Sequence, residues 1–328
     1  MICQRSFLFA WISLMLMAGP IYAQLKPSEV LVKSKMLFSE RNFPEAKSLL
    51  IKIGKGTSDY PDAQYYLGRI AVEQKDYEES IRRFENAVNA QPAVVVYHNW
   101  LGVMYGVVAM DANPFKQAYL APRIKNEFEK AASLDPNNLQ TQWGLMTYFV
   151  QAPGFLGGSW EKSFECADVI ARNNPAQGCR ALGFIYAAQK KMELAEKEFM
   201  EATKLEPANA ENDYALARFY QDHENYDKAF AVYEALLKKD PGNRVTAFHI
   251  GCMSARCGRQ LEKGILYLNQ YLVYHPRLDE PSHSGANLSL GLIYEKKGDK
   301  PKAKSYYETS LKLEPGMKEA LDGLARLN

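Results

Sequence analysis

Residues that carry chemistry are scarce in this sequence. Five histidines and five cysteines are scattered over 328 residues. They form no His-Glu-x-x-His zinc site, no nucleophile elbow and no clustered Cys/His ligand set, so the usual signatures of metallohydrolases and acyl-transfer enzymes are missing. Charge of one sign is not concentrated either: 40 Lys and Arg are interspersed with 38 Asp and Glu. Without a basic block or an acidic tail, nucleic acid is not an expected partner. Beyond the N-terminal region, no apolar run approaches the roughly twenty residues needed to cross a bilayer. The expectation is a protein without catalytic residues, metal or cofactor, and with no transmembrane segment in the mature chain.

The N-terminal region reads differently. A single charge, Arg5, precedes an uncharged, mostly apolar run of twelve residues from Phe7 to Ala18. Gly19-Pro20 and the small-residue site ending at Ala23 follow. This is the pattern of an export signal over residues 1–23, cleaved after Ala23, with an uncleaved N-terminal anchor as the alternative. Cys3 precedes the apolar run and so does not sit where a lipid-bearing cysteine would. The expected location is periplasmic, or else extracellular or envelope-associated. Export permits disulfides, and the mature chain keeps Cys166, Cys179, Cys252 and Cys257.

What the sequence has in abundance is self-similarity. Leu67-Gly68, Leu101-Gly102-x-x-Tyr105, Leu182-Gly183-x-x-Tyr186, Leu216-Ala217-x-x-Tyr220, Ile250-Gly251 and Leu290-Gly291-x-x-Tyr294 share one pattern. A proline follows the small residue after 24 positions in four cases, Gly68 to Pro92, Gly183 to Pro207, Ala217 to Pro241 and Gly291 to Pro315. Between these landmarks, alanines and aromatics such as Ala195, Phe199 and Ala202 recur at helical steps of three and four. The unit is helix, turn, helix and a proline stop, because proline lacks a donor and clashes with the preceding turn. A recurring glycine inside a helix, costing about 1 kcal/mol against alanine, implies close helix approach.

These residues resemble the tetratricopeptide repeat, most closely from Ala181 to Pro207. The resemblance implies an all-α right-handed superhelical solenoid over residues 24–328. Its eight repeats fall near 27–60, 61–94, 95–138, 139–175, 176–209, 210–243, 244–283 and 284–317, with a capping helix over 317–328. It also implies a concave face lined by the first helices. Mapped here, that face takes Arg69, Asn99, Trp143, Arg180, Phe184, Tyr214 and Arg218 as groove residues. Aromatics beside arginines suit another protein or an extended peptide. The Lys and Asn pair with which the family clamps a terminal carboxylate is absent.

Two repeats break the spacing. Gly102 to Pro136 is ten residues too long, around "AMDANPFKQAYLAP"; Met146 to Pro175 is five too long, in "APGFLGGS". Both excesses fall between first and second helices, so stacking in register places them on one edge. The pairing also resembles an exported bacterial subgroup of the family. Phe115, Tyr119, Phe155, Leu156 and Trp160 are the candidate edge residues, with Phe155 and Leu156 expected to pack on the neighbouring insertion. Gly157-Gly158 and a Ser159 cap give a helix start that could hold an anion. The functional expectation is a protein-binding scaffold using the groove and this edge, with a glycan- or lipid-fragment-binding module at the edge as the alternative. Cys166 and Cys179 flank a turn at similar distances and could bridge or remain buried thiols. His275, Asp279, Glu280 and His283 could hold a metal, although loop composition explains them as well.

Overall fold

The computed structural model describes residues 28–277 and 280–327. The expected export signal, Asp279 and Asn328 lie outside the described residues. Those residues form a succession of α-helices with no strand among them. The chain divides after Ala195 into two compact units, each with its own core.

The first unit begins with α1 (Glu29–Ser39) and α2 (Phe43–Leu50), followed by α3 (Tyr60–Glu73) and α4 (Tyr77–Ala90). Then come α5 (Val95–Met110), α6 (Pro114–Leu134), α7 (Leu139–Gln151), a 3-10 turn (Gly154–Leu156), α8 (Trp160–Asn173) and α9 (Pro175–Ala188). Helix α10 (Met192–Leu205) runs across the division. The second unit continues with α11 (Ala210–Asp222), α12 (Tyr226–Lys239), α13 (Arg244–Cys257) and α14 (Leu261–Leu272), and ends with α15 (His283–Lys296), α16 (Lys300–Leu313) and α17 (Lys318–Leu327).

Short polar caps start the helices where the repeat demands a turn. The side chains of Asp76, Asn113, Asn138, Asn225, Asn243 and Asp299 each accept from the backbone N–H three residues on. Each satisfies a donor the helix would otherwise leave orphaned.

The recurring glycines sit where two helices touch. A Cβ on Gly68 would lie 2.7 Å from the ring of Phe84, and one on Gly291 would lie 2.5 Å from the ring of Tyr307. Phe84 and Tyr307 are fully buried, so neither ring has room to retreat. In the first unit Phe84 stacks on Trp100, ring centroids 5.7 Å apart, at the centre of the apolar core. In the second, Tyr307 is also approached by Gly323 of α17, again at 2.5 Å. The terminal helix therefore docks through a glycine, as a cap must if it is to cover an aromatic ring.

The ten-residue excess of the third repeat does not form a loop, which corrects the sequence reading. It is absorbed by the helices: α5 has 16 residues and α6 has 21, against 14 in α3 and α4. Asn113 caps α6, Pro114 opens it, and the Gln117 amide donates to the Ala109 carbonyl at the end of α5. Pro is well placed in a first turn, where its missing donor costs nothing. The fourth repeat's excess remains a turn, and α6 touches it.

Candidate interaction surface of the extended repeats

Most of the expected groove residues are buried in contacts between repeats. Arg69 is 6% exposed; it donates to the Tyr65 hydroxyl at 2.9 Å and lies 4.3 Å from the ring centroid of Trp100 and 5.2 Å from that of Phe38. The guanidinium is held by ring faces rather than offered to a partner. Asn99 is fully buried and accepts from the Thr141 hydroxyl at 2.9 Å. Tyr214 is bonded to the Thr246 hydroxyl at 2.8 Å, and buried Arg180 lies 5.7 Å from the ring of Trp143. The groove assignment is therefore corrected for Arg69, Asn99, Arg180 and Tyr214. Large side chains one turn apart on a first helix face the next first helix and are consumed by it. Trp143, Phe184 and Arg218 stay half-buried. The Trp143 indole N–H donates to Gln177 at 3.2 Å.

The glycine turn of the fourth repeat closes on itself. Leu156 N–H and Gly158 N–H donate to the Pro153 carbonyl, Gly157 N–H to Gly154, and Ser159 N–H to Phe149, at 2.9–3.1 Å. The Tyr148 hydroxyl donates to the Leu156 carbonyl. Gly157 has φ of 93°, the left-handed region, and a Cβ on Gly158 would lie 1.8 Å from the Ala152 carbonyl oxygen. Both glycines are thus required by geometry, one for its backbone angle and one for its lack of a side chain. These four donors are bonded internally and are therefore taken from the anion-binding reading. Ser159 caps α8 by accepting from Lys162 N–H, as the sequence implied, and Glu161 lies in the helix's first turn.

The turn lies beside α6: a Cβ on Gly157 would stand 3.8 Å from the Lys125 side chain. The two departures from regular spacing are therefore neighbours. Leu156 packs partly against the core, but Phe155 does not pack on the neighbouring insertion as expected. It is 85% exposed, and Phe115, Tyr119 and Trp160 are 88%, 58% and 44% exposed. The reason is local. The turn's hydrogen bonds fix its backbone without Phe155, and Phe115 lies in the first turn of a helix extended beyond the usual repeat length.

Between α4 and the extended half of α6 is an open slot of about 220 Å³. Ile81, Val108 and Leu120 supply its apolar lining, and the side chains of Glu78, Glu85, Lys116 and Arg123 carry its charge. The Tyr105 hydroxyl donates to Glu85 at 2.6 Å, and the Arg123 guanidinium stands 4.4 Å over the ring of Tyr119. Of these residues the sequence reading singled out only Tyr119 as a site. The seven-residue spacing of Glu78 with Glu85 and of Lys116 with Arg123 is the signal that would have found the rest.

Cys166 and Cys179 are thiols in the structure, Cys166 buried and Cys179 half-buried, so the possible bridge is not made. Gly178, not Cys179, faces α8, where its Cβ position is 2.4 Å from the Cβ of Ala171; the next residue along a helix points about 100° away. Burial pushes the Cys166 thiol up to about 12. In the loop before α15, Glu280 accepts from the Tyr274 hydroxyl at 2.7 Å and from Arg277, and His283 bonds the Tyr274 carbonyl at 2.8 Å. Loop closure occupies those groups, and no cluster of three metal-ligating side chains occurs among the described residues.

Family models described as tetratricopeptide repeat match residues 62–93, 176–209, 214–245 and 284–316. All four segments lie outside the two extended repeats. No curated protein matches. Among solved structures, yeast Tom70 aligns with 98% of this chain and 68% of its own, at TM-score 0.69 and 15% identity. A tetratricopeptide repeat protein from Parabacteroides merdae aligns with 81% of this chain and 98% of its own, at TM-score 0.48 and 12% identity. At such identities the likeness concerns the fold alone. The matched segments, the glycine-to-ring contacts and the paired helices agree: this chain is an all-α tetratricopeptide repeat protein.

Proposed function

We propose that this protein is an exported, non-catalytic scaffold that holds another protein through the exposed aromatic side chains of its two extended repeats. One observation carries the reading: Phe115, Tyr119, Phe155 and Trp160 stand open to solvent on adjoining segments of the first unit. Exposed apolar area costs roughly 25 cal/mol per Å² until a partner covers it, and aromatic side chains dominate binding energy where they do anchor an interface. The family fold supports the class of partner, a protein or peptide segment. Half-buried Trp143 and Phe184 in the first unit, and Arg218 in the second, are what remains of the groove reading. The alternative of a small glycan or lipid fragment gains no support from the four turn N–H groups of residues 156–159, which are internally bonded.

The test is affinity capture from the native host with the wild-type chain and with a Phe115→Ala, Phe155→Ala, Trp160→Ala triple variant. The triple variant is expected to lose the proteins that the wild type retains, while melting at the same temperature. Equal capture by both would remove the edge from the account. Export is proposed from residues 1–23 alone. Intact mass of the chain from its host should begin at Gln24, and a mature mass that includes residues 1–23 would contradict it.

A further inference from the structure

We propose that the slot between α4 and α6 seats one apolar side chain of a partner peptide, with an adjacent carboxylate of that peptide on Lys116 and Arg123. The inference rests on the scaffold reading and names the chemistry of the bound segment. A site for a drug-sized ligand encloses roughly 300–1,000 Å³. The slot's 220 Å³ is below that range and suits a single side chain from a larger partner. Its floor of Ile81, Val108 and Leu120 has no polar side-chain atom to satisfy.

The choice of a carboxylate follows from how the rim charges are arranged. Glu85 follows the buried Phe84 by one residue, and Glu234 follows the buried Tyr233 by one. Arg123 precedes Phe128 by five, and Lys263 precedes Leu268 by five. In the second unit the corresponding pair, Lys263 to Glu234, closes at 2.5 Å. In the first, Arg123 to Glu85 stands at 3.9 Å, and Lys116 to Glu78 also at 3.9 Å. Glu85 instead takes the Tyr105 hydroxyl, and Arg123 turns onto the ring of Tyr119. The two cations are 43% and 49% exposed, seven residues apart on one helix face, and their donors are only loosely engaged. A guanidinium carries five N–H donors in a fork that fits a carboxylate. The complement is therefore an apolar residue with Asp or Glu beside it.

The test is selection of displayed random peptides on the full chain. Enriched peptides should share Leu, Ile, Met or Phe within two residues of Asp or Glu. Their affinity should fall roughly tenfold for a Lys116→Glu, Arg123→Glu double variant, the scale of a lost charge-assisted contact. Val108→Trp, which fills the slot, should abolish binding, and Leu266→Ala, at an exposed position of the second unit, should leave it unchanged. The double variant changes only exposed side chains, so the test survives if Val108→Trp fails to fold. Enrichment of basic peptides, undiminished affinity in the charge-reversed variant, or no enrichment at all would overturn the slot. Loss of host-protein capture in the aromatic triple variant would leave the scaffold reading standing in any of those cases.

Discussion

At the scale of single residues, the molecule is governed by what a buried group needs. Gly68 needs the absence of a side chain. Gly68→Val would drive two methyl groups toward a fully buried Phe84, whose ring already lies 2.7 Å from the Cβ position. Overpacking of this kind costs about 1–3 kcal/mol. Denaturant unfolding should show that loss, and a variant as stable as the wild type would mean the helices separate freely. His98 needs two acceptors. It is 3% exposed, with Nδ1 2.7 Å from a Glu127 carboxylate oxygen and Nε2 2.9 Å from the Pro92 carbonyl. The Pro92 carbonyl accepts, and so does Glu127 when ionised, so the pair of contacts favours the doubly protonated ring. Burial and Lys130 oppose that charge, but the hydrogen bonds to Glu127 and Pro92 outweigh them and raise the pKa. The contribution is thus complete below the unfolded value of about 6.5 and is lost as pH rises through the folded one. The stability difference between wild type and His98→Gln should shrink as pH rises above neutrality; a difference that grows with pH would reverse the assignment.

At the scale of elements, the helix pairs were legible from the glycine-to-proline spacing because that spacing reflects a fixed contact, small residue against buried ring. The Ser159 cap was legible for a similar reason, since a capping side chain acts within three residues. Groove exposure was not legible. Whether Arg69 meets solvent or the face of Trp100 depends on the neighbouring repeat, which local spacing does not contain. Nor was the fate of the third repeat's excess: helix-forming residues between Pro114 and Pro122 lengthened α6 where counting alone implied a loop. In the second unit, ion pairs join consecutive repeats, as Lys228 with Glu196, Arg259 with Asp227 and Arg326 with Glu295. Such exposed pairs are worth about 0–1 kcal/mol each, so packing carries the stability. The terminal helix α17 illustrates this. Gly323→Leu should undock it from Tyr307, seen as loss of hydrogen-exchange protection over Lys318–Leu327, and retained protection there would refute the glycine contact.

At the scale of the whole molecule, the regular repeats build a frame, and the irregular ones carry the exposed aromatic side chains Phe115, Tyr119, Phe155 and Trp160. The "APGFLGGS" turn bonds four of its N–H groups internally and lies against the lengthened α6, with Phe155 exposed on it and Trp160 at the start of the following helix. The claim that this part of the first unit is the partner surface is tested most directly by hydrogen exchange on the full chain with a partner captured from its host. The account predicts slowed exchange at the starts of α6 and α8 and in the intervening glycine turn, residues 112–123 and 152–162. Slowed exchange confined to the second unit, with those two segments unchanged, would contradict it.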